Sequence, residues 1–367
     1  SGGGGGRIAV HYDAGAQAAL PQPAIRWLAT AGERGATIRH DGRMGTLYFP
    51  DNRFLSNVVQ HAGWWMVTNF TAWAIPSLAI TNGGSIGFPN EGFVLTVDQG
   101  IAVSGTSPWL HRLELTNATV TCGGDLTLAT AGLVLTAGAA PGPQLACGGD
   151  MLLRSATPAA SGAAFWVHAA PVDDEDGHGA RIEVAGGVSV QSNSWVYPVC
   201  HLTNGGSALF RVRDLTLETG GGINADTRGF MASPTINGRY GPEAGTSRSG
   251  GGHGGKGGKG GDSGVPGGVY GCSNAPVTAG SAGGGVVTAH VGGNGGGVFR
   301  AEVARTLTLR GAISANGQRG KGSGASGGGA GGSVYLRVRR FVGEAPGGLQ
   351  ANGGAGGSSS GGGGGGG

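Results

Sequence analysis

The stretch that decides the fold is Cys122-Gly123-Gly124-Asp125-Leu126, which returns 25 residues later as Cys147-Gly148-Gly149-Asp150-Met151. In each copy a short run of alternating apolar residues ends at a Gly-Gly pair, where glycine permits a tight corner. A repeat of this length is typical of a solenoid whose copies stack on one another. The sequence therefore predicts an all-β protein, a right-handed parallel β-helix, in which Cys122 and Cys147 are stacked neighbours.

A longer repeat occupies the last third of the chain. The strand-like run at Phe299 is followed by Ala312-Ile313-Ser314-Ala315-Asn316, and the run at Tyr335 is followed by Gly348-Leu349-Gln350-Ala351-Asn352. These two copies are 36 residues apart, and a related copy begins at Phe210. Glycine-rich sequence follows each copy, which predicts strands alternating with glycine-rich connections.

Glycine accounts for 84 of the 367 residues, and its cost in a helix excludes long helices and coiled coils. Residues 251–262 repeat Gly-Gly-X, the period of a helix with three residues per turn. This pattern predicts a polyglycine-II-like rod with His253, Lys256 and Lys259 on one edge. A floppy surface loop is the alternative interpretation of the same segment.

Composition divides the chain into four segments and places a short helix in one of them. Residues 52–71 have the least strand-like pattern, and Phe54, Val58 and His61 fit one face of a short helix that would cover an end of the solenoid. Six tryptophans between 64 and 195 are either core and cap residues or platforms for sugar stacking. The predicted segments are a glycine-rich strand module (1–52), a central solenoid with a helical, Trp-rich cap (53–235), a glycine-rich insert (236–298) and glycine-rich strand repeats (299–367).

The charge pattern argues against nucleic acid as a partner. The formal net charge is +3 and no basic block is present. Every long uncharged run is interrupted by polar residues, glycine or proline, so no membrane span is expected. We expect an exported protein, extracellular or at the cell surface.

The four cysteines have no metal-binding spacing. Disulfides are one interpretation, with Cys122 bonded to Cys147 and Cys200 left to pair with Cys272. Buried free thiols are the other.

An acidic run precedes Gly177-His178-Gly179. Asp173, Asp174 and Asp176 supply hard oxygen ligands, so calcium is the one cofactor considered, with a solvated acidic turn as the favoured alternative. The run from Asp173 to Ile182 also contains elements that resemble those of polygalacturonases. In that family the elements lie on separate coils, whereas here they are consecutive and cannot converge on a sugar. We expect no enzymatic activity.

Three stretches resemble a known group: residues 2–13 (GGGGGRIAVHYD), 45–52 (GTLYFPDN) and 324–356 (GASGGGAGGSVYLRV to LQANGGAG). The group comprises glycine-rich, repeat-bearing surface proteins of myxobacterial and planctomycete-type bacteria. The resemblance covers about residues 1–52 and 205–367 and rests on composition. It implies export and a β-solenoid, and it transfers no catalytic residues.

The sequence predicts an extracellular structural protein, a subunit of a surface filament, appendage or adhesin. Seven consecutive glycines at the end of the chain have a large conformational entropy and would need a partner to be ordered. A neighbouring copy is the predicted partner, which gives a head-to-tail homopolymer. A carbohydrate-binding or carbohydrate-active β-helix, with surface glycans as partners, is the alternative. The residues assigned to assembly are Gly2, Gly6, Arg7, Ile8, Gly361 and Gly367.

Overall fold

The computed structural model describes residues 3–32, 42–157, 161–174, 177–232, 239–261, 263–286, 291–321, 325–357 and 360–367. These residues form short parallel strands and a single five-residue helix, α1 (Ala14–Ala18). The all-β prediction is confirmed. The strands are β1 (Arg7–Ala9), β2 (Thr46–Tyr48), β3 (Val58–Val59), β4 (Ala62–Met66), β5 (Ala72–Ile75), β6 (Leu78–Ile80), β7 (Ser85–Phe88), β8 (Val94–Val97), β9 (Ile101–Ser104), β10 (Arg112–Thr116), β11 (Thr119–Cys122), β12 (Leu126–Ala129), β13 (Gly132–Thr136), β14 (Gln144–Cys147), β15 (Met151–Arg154), β16 (Ala164–His168), β17 (Ala180–Val190), β18 (Trp195–Val199), β19 (Ala208–Leu217), β20 (Gly222–Asn224), β21 (Val298–Leu309), β22 (Ala312–Ser314), β23 (Ser333–Gly343) and β24 (Gly348–Gln350).

The chain divides into two compact units. Unit 1 comprises Ser1–Thr136, Gln144–Trp166 and Val184–Trp195. Its strands pair in parallel in three rows, which the chain visits in turn. Row A contains β1, β2, β4, β7, β10 and β13, row B contains β5, β8, β11 and β14, and row C contains β3, β6, β9, β12 and β15.

The 25-residue repeat sets the register in rows B and C. Cys122 pairs with Cys147, and Leu126 pairs with Met151, as the sequence predicts. Successive side chains of a strand point to opposite faces. Val120 is accordingly buried, whereas Thr119 and Thr121 on the same strand are exposed. The core of unit 1 is the space that the inward side chains of the three rows fill.

Unit 2 comprises Ala137–Pro143, Val167–Glu183 and Val196–Gly367. It has one row of short strands, β20, β22 and β24, and one row of long strands, β19, β21 and β23, all parallel. Ile313 pairs with Leu349, as the 36-residue repeat predicts. The repeat does not predict the register of the long strands. Arg300 pairs with Tyr335, one residue out, and Thr306 pairs with Arg340, two residues out, after a register shift that follows Val303.

The helical cap predicted within residues 52–71 is wrong. This stretch contains β3 and β4, and Trp65 points into the core with 1 % of its surface exposed. Aromatic and β-branched side chains favour strands, and tertiary packing overrides a weak helical pattern. The helix lies earlier, at α1, where the Asp13 carboxylate accepts a hydrogen bond from the Ala16 amide at 2.7 Å and caps the first turn.

Candidate functional site

A cavity of about 210 Å³ lies in unit 2, where two loops after β16 and β18 meet the segment around Tyr270. The carboxylate-bearing residues Asp173 and Asp174 lie on one side of it, and Tyr270 and Thr278 lie on the other. The lining within the described residues contains no arginine, lysine or histidine. The apolar part of the lining consists of Val172, Phe230, Pro242, Val277 and Ala279.

Hydrogen bonds between the loops hold the acidic wall in place. The Asn204 carboxamide accepts from the Val172 amide at 2.7 Å and donates to the Val172 carbonyl at 2.9 Å. Gly205 has φ +86°, a conformation that favours glycine, and its Cα faces the ring of Phe230. A side chain there would strike that ring. The wall is therefore set before any ligand arrives.

The opposite wall is equally constrained. The Tyr270 hydroxyl donates to the Ala279 carbonyl and accepts from the Ser281 hydroxyl at 2.9 Å. Thr278 lies 3.0 Å from Nε2 of His253. Burial lowers the pKa of His253, so the imidazole behind this wall is held in its neutral form. The cavity can offer carboxylate acceptors, hydroxyls and apolar surface to a small ligand.

The calcium prediction stays a prediction. Asp173 and Asp174 lie together at the cavity, whereas Asp176 falls outside the described residues. Within the part of the chain that the structure describes, no three acidic, histidine or cysteine side chains converge as a metal site. No local motif in the sequence points to Asn204, Phe230, Tyr270 and Thr278, which come from separate loops.

Seven glycine-rich segments of unit 2 form a second distinctive feature, which we call the glycine stack. The central segment, residues 325–332, makes backbone hydrogen bonds of 2.7–3.0 Å with each of the six others. Six neighbours around one chain is the arrangement that a three-residue helical period permits, because its amides and carbonyls point in several directions. The surrounding segments are 245–261, 279–284, 291–297, 315–320, 351–357 and 361–367.

Glycine is required at many positions of the stack because neighbouring backbones occupy the place of a side chain there. A Cβ atom on Gly250 would lie 1.8 Å from the Gly363 carbonyl oxygen, and one on Gly365 would lie 1.9 Å from the Gly255 oxygen. Between residues 256 and 260, Gly257 and Gly260 are buried while Lys256 and Lys259 are exposed. The common edge predicted for His253 with these lysines is wrong, because His253 is 4 % exposed.

The terminal residues assigned to assembly take partners from their own chain. Residues 361–367 donate to Arg248, Gly251, Ala351 and Gly354, so a neighbouring copy is not needed to order these glycines. At the other end Gly6 accepts from Thr46, and Arg7 and Ile8 lie in β1, which pairs with β2. Gly2 lies outside the described residues.

All four cysteines are free thiols in the structure. Cys122 and Cys147 are 1 % and 3 % exposed, and both thiols donate to the Gly124 carbonyl oxygen, at 3.5 Å and 3.2 Å. The proximity of the two thiols lowers the pKa of Cys122 and raises that of Cys147. Cys200 packs against Phe230, Ala279 and Val298, and Cys272 is exposed. The predicted disulfides stay predictions.

No protein-family model matches this chain, and no curated protein or solved structure shows significant similarity to it. The geometry of the cavity and of the glycine stack is therefore the basis for a function.

The six tryptophans that could be core or cap residues or sugar platforms are buried to different extents. Trp65 and Trp166 are buried, and the other four tryptophans named by the sequence are half-buried. Trp109 and Trp166 pack with ring centroids 4.6 Å apart. Among the described residues, none forms a helix long and apolar enough to cross a membrane.

Proposed function

We propose that the protein is a structural component of an extracellular or cell-surface assembly, built as a right-handed parallel β-helix with a polyglycine-II-like body. The observation that carries this proposal is the glycine stack, whose central segment bonds to six neighbours. Such packing brings backbones into contact at many glycines, and it provides rigidity instead of reactive groups. The three rows of unit 1 support the β-helix, since the chain visits them in rotation from β4 to β15 and the strands of each row are parallel.

Hydrogen exchange tests the glycine stack directly. If residues 325–332 form the centre of a rigid body, their amides should exchange only at the rate of global unfolding. The amides of α1, an exposed five-residue helix, serve as the comparison and should exchange much faster. Exchange of residues 325–332 at the rate of α1 would exclude a rigid glycine body.

Electron microscopy and light scattering test the assembly. A homopolymer should appear as fibres or rods whose mass grows with protein concentration. A monodisperse monomer at every concentration would exclude the predicted head-to-tail polymer. A structural role would then require a different partner chain.

A second candidate function is the binding of surface carbohydrate, and the cavity favours it. Asp173 and Asp174 can accept hydrogen bonds from hydroxyl groups, and Phe230 with Val277 supplies apolar surface for the carbon face of a sugar. The volume suits one sugar ring. Calorimetry with glucose, galactose, mannose and N-acetylglucosamine tests it.

The cavity variant and its control differ in one position. Asp173→Asn should weaken the binding of any sugar detected by about tenfold or more, because a hydrogen bond to a charged acceptor is lost. Asp98→Asn changes an exposed aspartate that does not line the cavity and should leave binding unchanged. Absence of binding for all four sugars, or equal loss in both variants, would count against this function.

A further inference from the structure

In unit 2, charged side chains on neighbouring long strands form two series of ion pairs, which we call ladders. Positive and negative side chains alternate along each ladder. Glu302 on β21 lies 2.8 Å from Arg211 on β19 and 3.3 Å from Arg337 on β23. Arg310 lies in turn 3.2 Å from Glu218 and 2.7 Å from Glu344. The first ladder therefore ends in the Arg337 cation on β23, and the second ends in the Glu344 carboxylate just after β23.

The edge of β23 that faces away from β21 has no strand partner among the described residues. The Glu344 amide donates to the Leu309 carbonyl at 2.9 Å and is thus directed towards β21. Alternate amides of a strand point in opposite directions, so the Gly343 amide is directed towards the open edge. An 11-residue strand with an unpaired edge is a template for another strand.

The apolar side chains of the last strands are also uncovered. Phe341 is 47 % exposed, whereas its register partner Leu307 is fully buried. Leu349 is 46 % exposed, and its partner Ile313 is fully buried. Strands added in the same register would cover Phe341 and Leu349, just as Phe341 covers Leu307 and Leu349 covers Ile313.

We propose that the open edge of β23 binds a parallel β-strand of another chain that carries an acidic residue opposite Arg337 and a basic residue opposite Glu344. Both ladders then continue with alternating sign. Arg339 and Arg340 are exposed on the same strand and add to its preference for an acidic partner. The partner strand would belong to the surface assembly under the proposed function. Binding of a strand at this edge can be tested whether or not that function is correct.

The partner strand differs from the end strands that unit 1 of a second copy would present. The end strands of rows B and C in unit 1 are Ala72–Ile75 and Val58–Val59, and neither contains a charged residue. Neither can supply the carboxylate that Arg337 requires. Charge complementarity therefore favours a different chain with an acidic strand.

The chain itself contains the charge pattern that the partner needs. Residues 298–310 carry Glu302 and Arg310, which already lie opposite Arg337 and Glu344 on the other side of β23. The probe is a fluorescent peptide of this segment with Arg305→Glu, which removes a like charge facing the arginine-rich edge. The control peptide adds Glu302→Arg and Arg310→Glu, which preserves composition and net charge but reverses the pattern.

Fluorescence anisotropy with the full chain should show that the probe binds at least about tenfold more tightly than the control, because like charges face each other in the control complex. Gly343→Pro removes an amide at the open edge and should abolish binding of the probe. Circular dichroism checks that this variant folds. Its Cβ position is 3.4 Å from the Phe341 ring, an ordinary contact.

Equal affinity for both peptides, binding of neither, or full binding to folded Gly343→Pro would overturn the proposal. The outcome is separate from that of microscopy. If the protein binds the probe but forms no fibres, the docking edge of β23 is supported and the homopolymer is not. If it forms fibres but does not bind the probe, the homopolymer is supported and the docking edge is not.

Discussion

Cys122 and Cys147 are register partners on neighbouring parallel strands, and both thiols donate to the carbonyl oxygen of Gly124 inside unit 1. The neighbouring thiol lowers the pKa of Cys122 and raises that of Cys147. The two thiols therefore lose their protons in separate steps, with Cys122 first. A dithiol in this arrangement is chemically distinct from the other two cysteines.

Mild oxidation with diamide should join Cys122 to Cys147, because stacked strands place Cα atoms within disulfide reach. Peptide mapping without reduction would identify the bond. Cys122→Ser should abolish it and leave Cys147 as a thiol. A Cys147 disulfide with any other cysteine of the folded wild type would contradict the register seen here.

Alkylation with iodoacetamide should distinguish Cys272 from Cys200 by reactivity. Cys272 is exposed and should react in the folded protein, whereas burial raises the pKa of Cys200 to about 12 and withholds its thiolate. Mass spectrometry of the tryptic peptides measures both sites at once. Equal labelling of the two cysteines before unfolding would show that the core around Cys200 is open.

Substitution at two adjacent glycines tests the packing of the stack. Gly365→Ala places a Cβ 1.9 Å from the Gly255 oxygen and should reduce the free energy of unfolding by about 1–3 kcal/mol. Gly366→Ala has its closest neighbour at 4.0 Å and should change stability by no more than about 0.5 kcal/mol. Denaturant unfolding of the two variants measures the difference, and equal effects would contradict the close packing.

The ion-pair ladder predicts a loss of stability in acid. The hydrogen bond from Arg211 lowers the pKa of Glu302 below its ordinary value of 4.5, so the unfolded chain binds more protons in this range. The contribution of Glu302 is complete above pH 4.5 and falls as the pH drops through the folded-state pKa. Glu302→Gln should cost about 1 kcal/mol or less at pH 7 and should flatten the acid slope. An unchanged slope would show that the ladder has no energetic role.

Burial of His253 predicts a separate pH dependence at milder acidity. Because burial lowers its pKa below 6.5, the unfolded state takes up more protons and stability rises with pH in the range below 6.5. His253→Gln removes this proton uptake and should reduce the slope of unfolding free energy against pH between the folded-state pKa and 6.5. Thermal unfolding at a series of pH values measures the slope, and identical slopes for both proteins would contradict a buried neutral imidazole.

Local pattern was sufficient for the strands that repeat at 25 residues. The Gly-Gly corners and alternating apolar residues placed Cys122 opposite Cys147 and Leu126 opposite Met151, because stacking of equal-length copies leaves only one register that buries every inward side chain. The same reasoning was wrong by one residue between Phe299 and Tyr335, and by two residues after the register shift that follows Val303. The register in which neighbouring long strands pair carries no local signature in the sequence.

The sequence alone determined that this chain is built from short strands and glycine-rich corners, since the helix cost of glycine and the period of the apolar residues are local properties. The partners of the glycine segments were decided only by the tertiary structure. Every Gly-Gly-X run is locally compatible with any other, and the six contacts of residues 325–332 arise from how the chain returns to one place. The cavity of Asp173 and Tyr270 has the same origin, because its walls come from loops whose meeting depends on long-range packing.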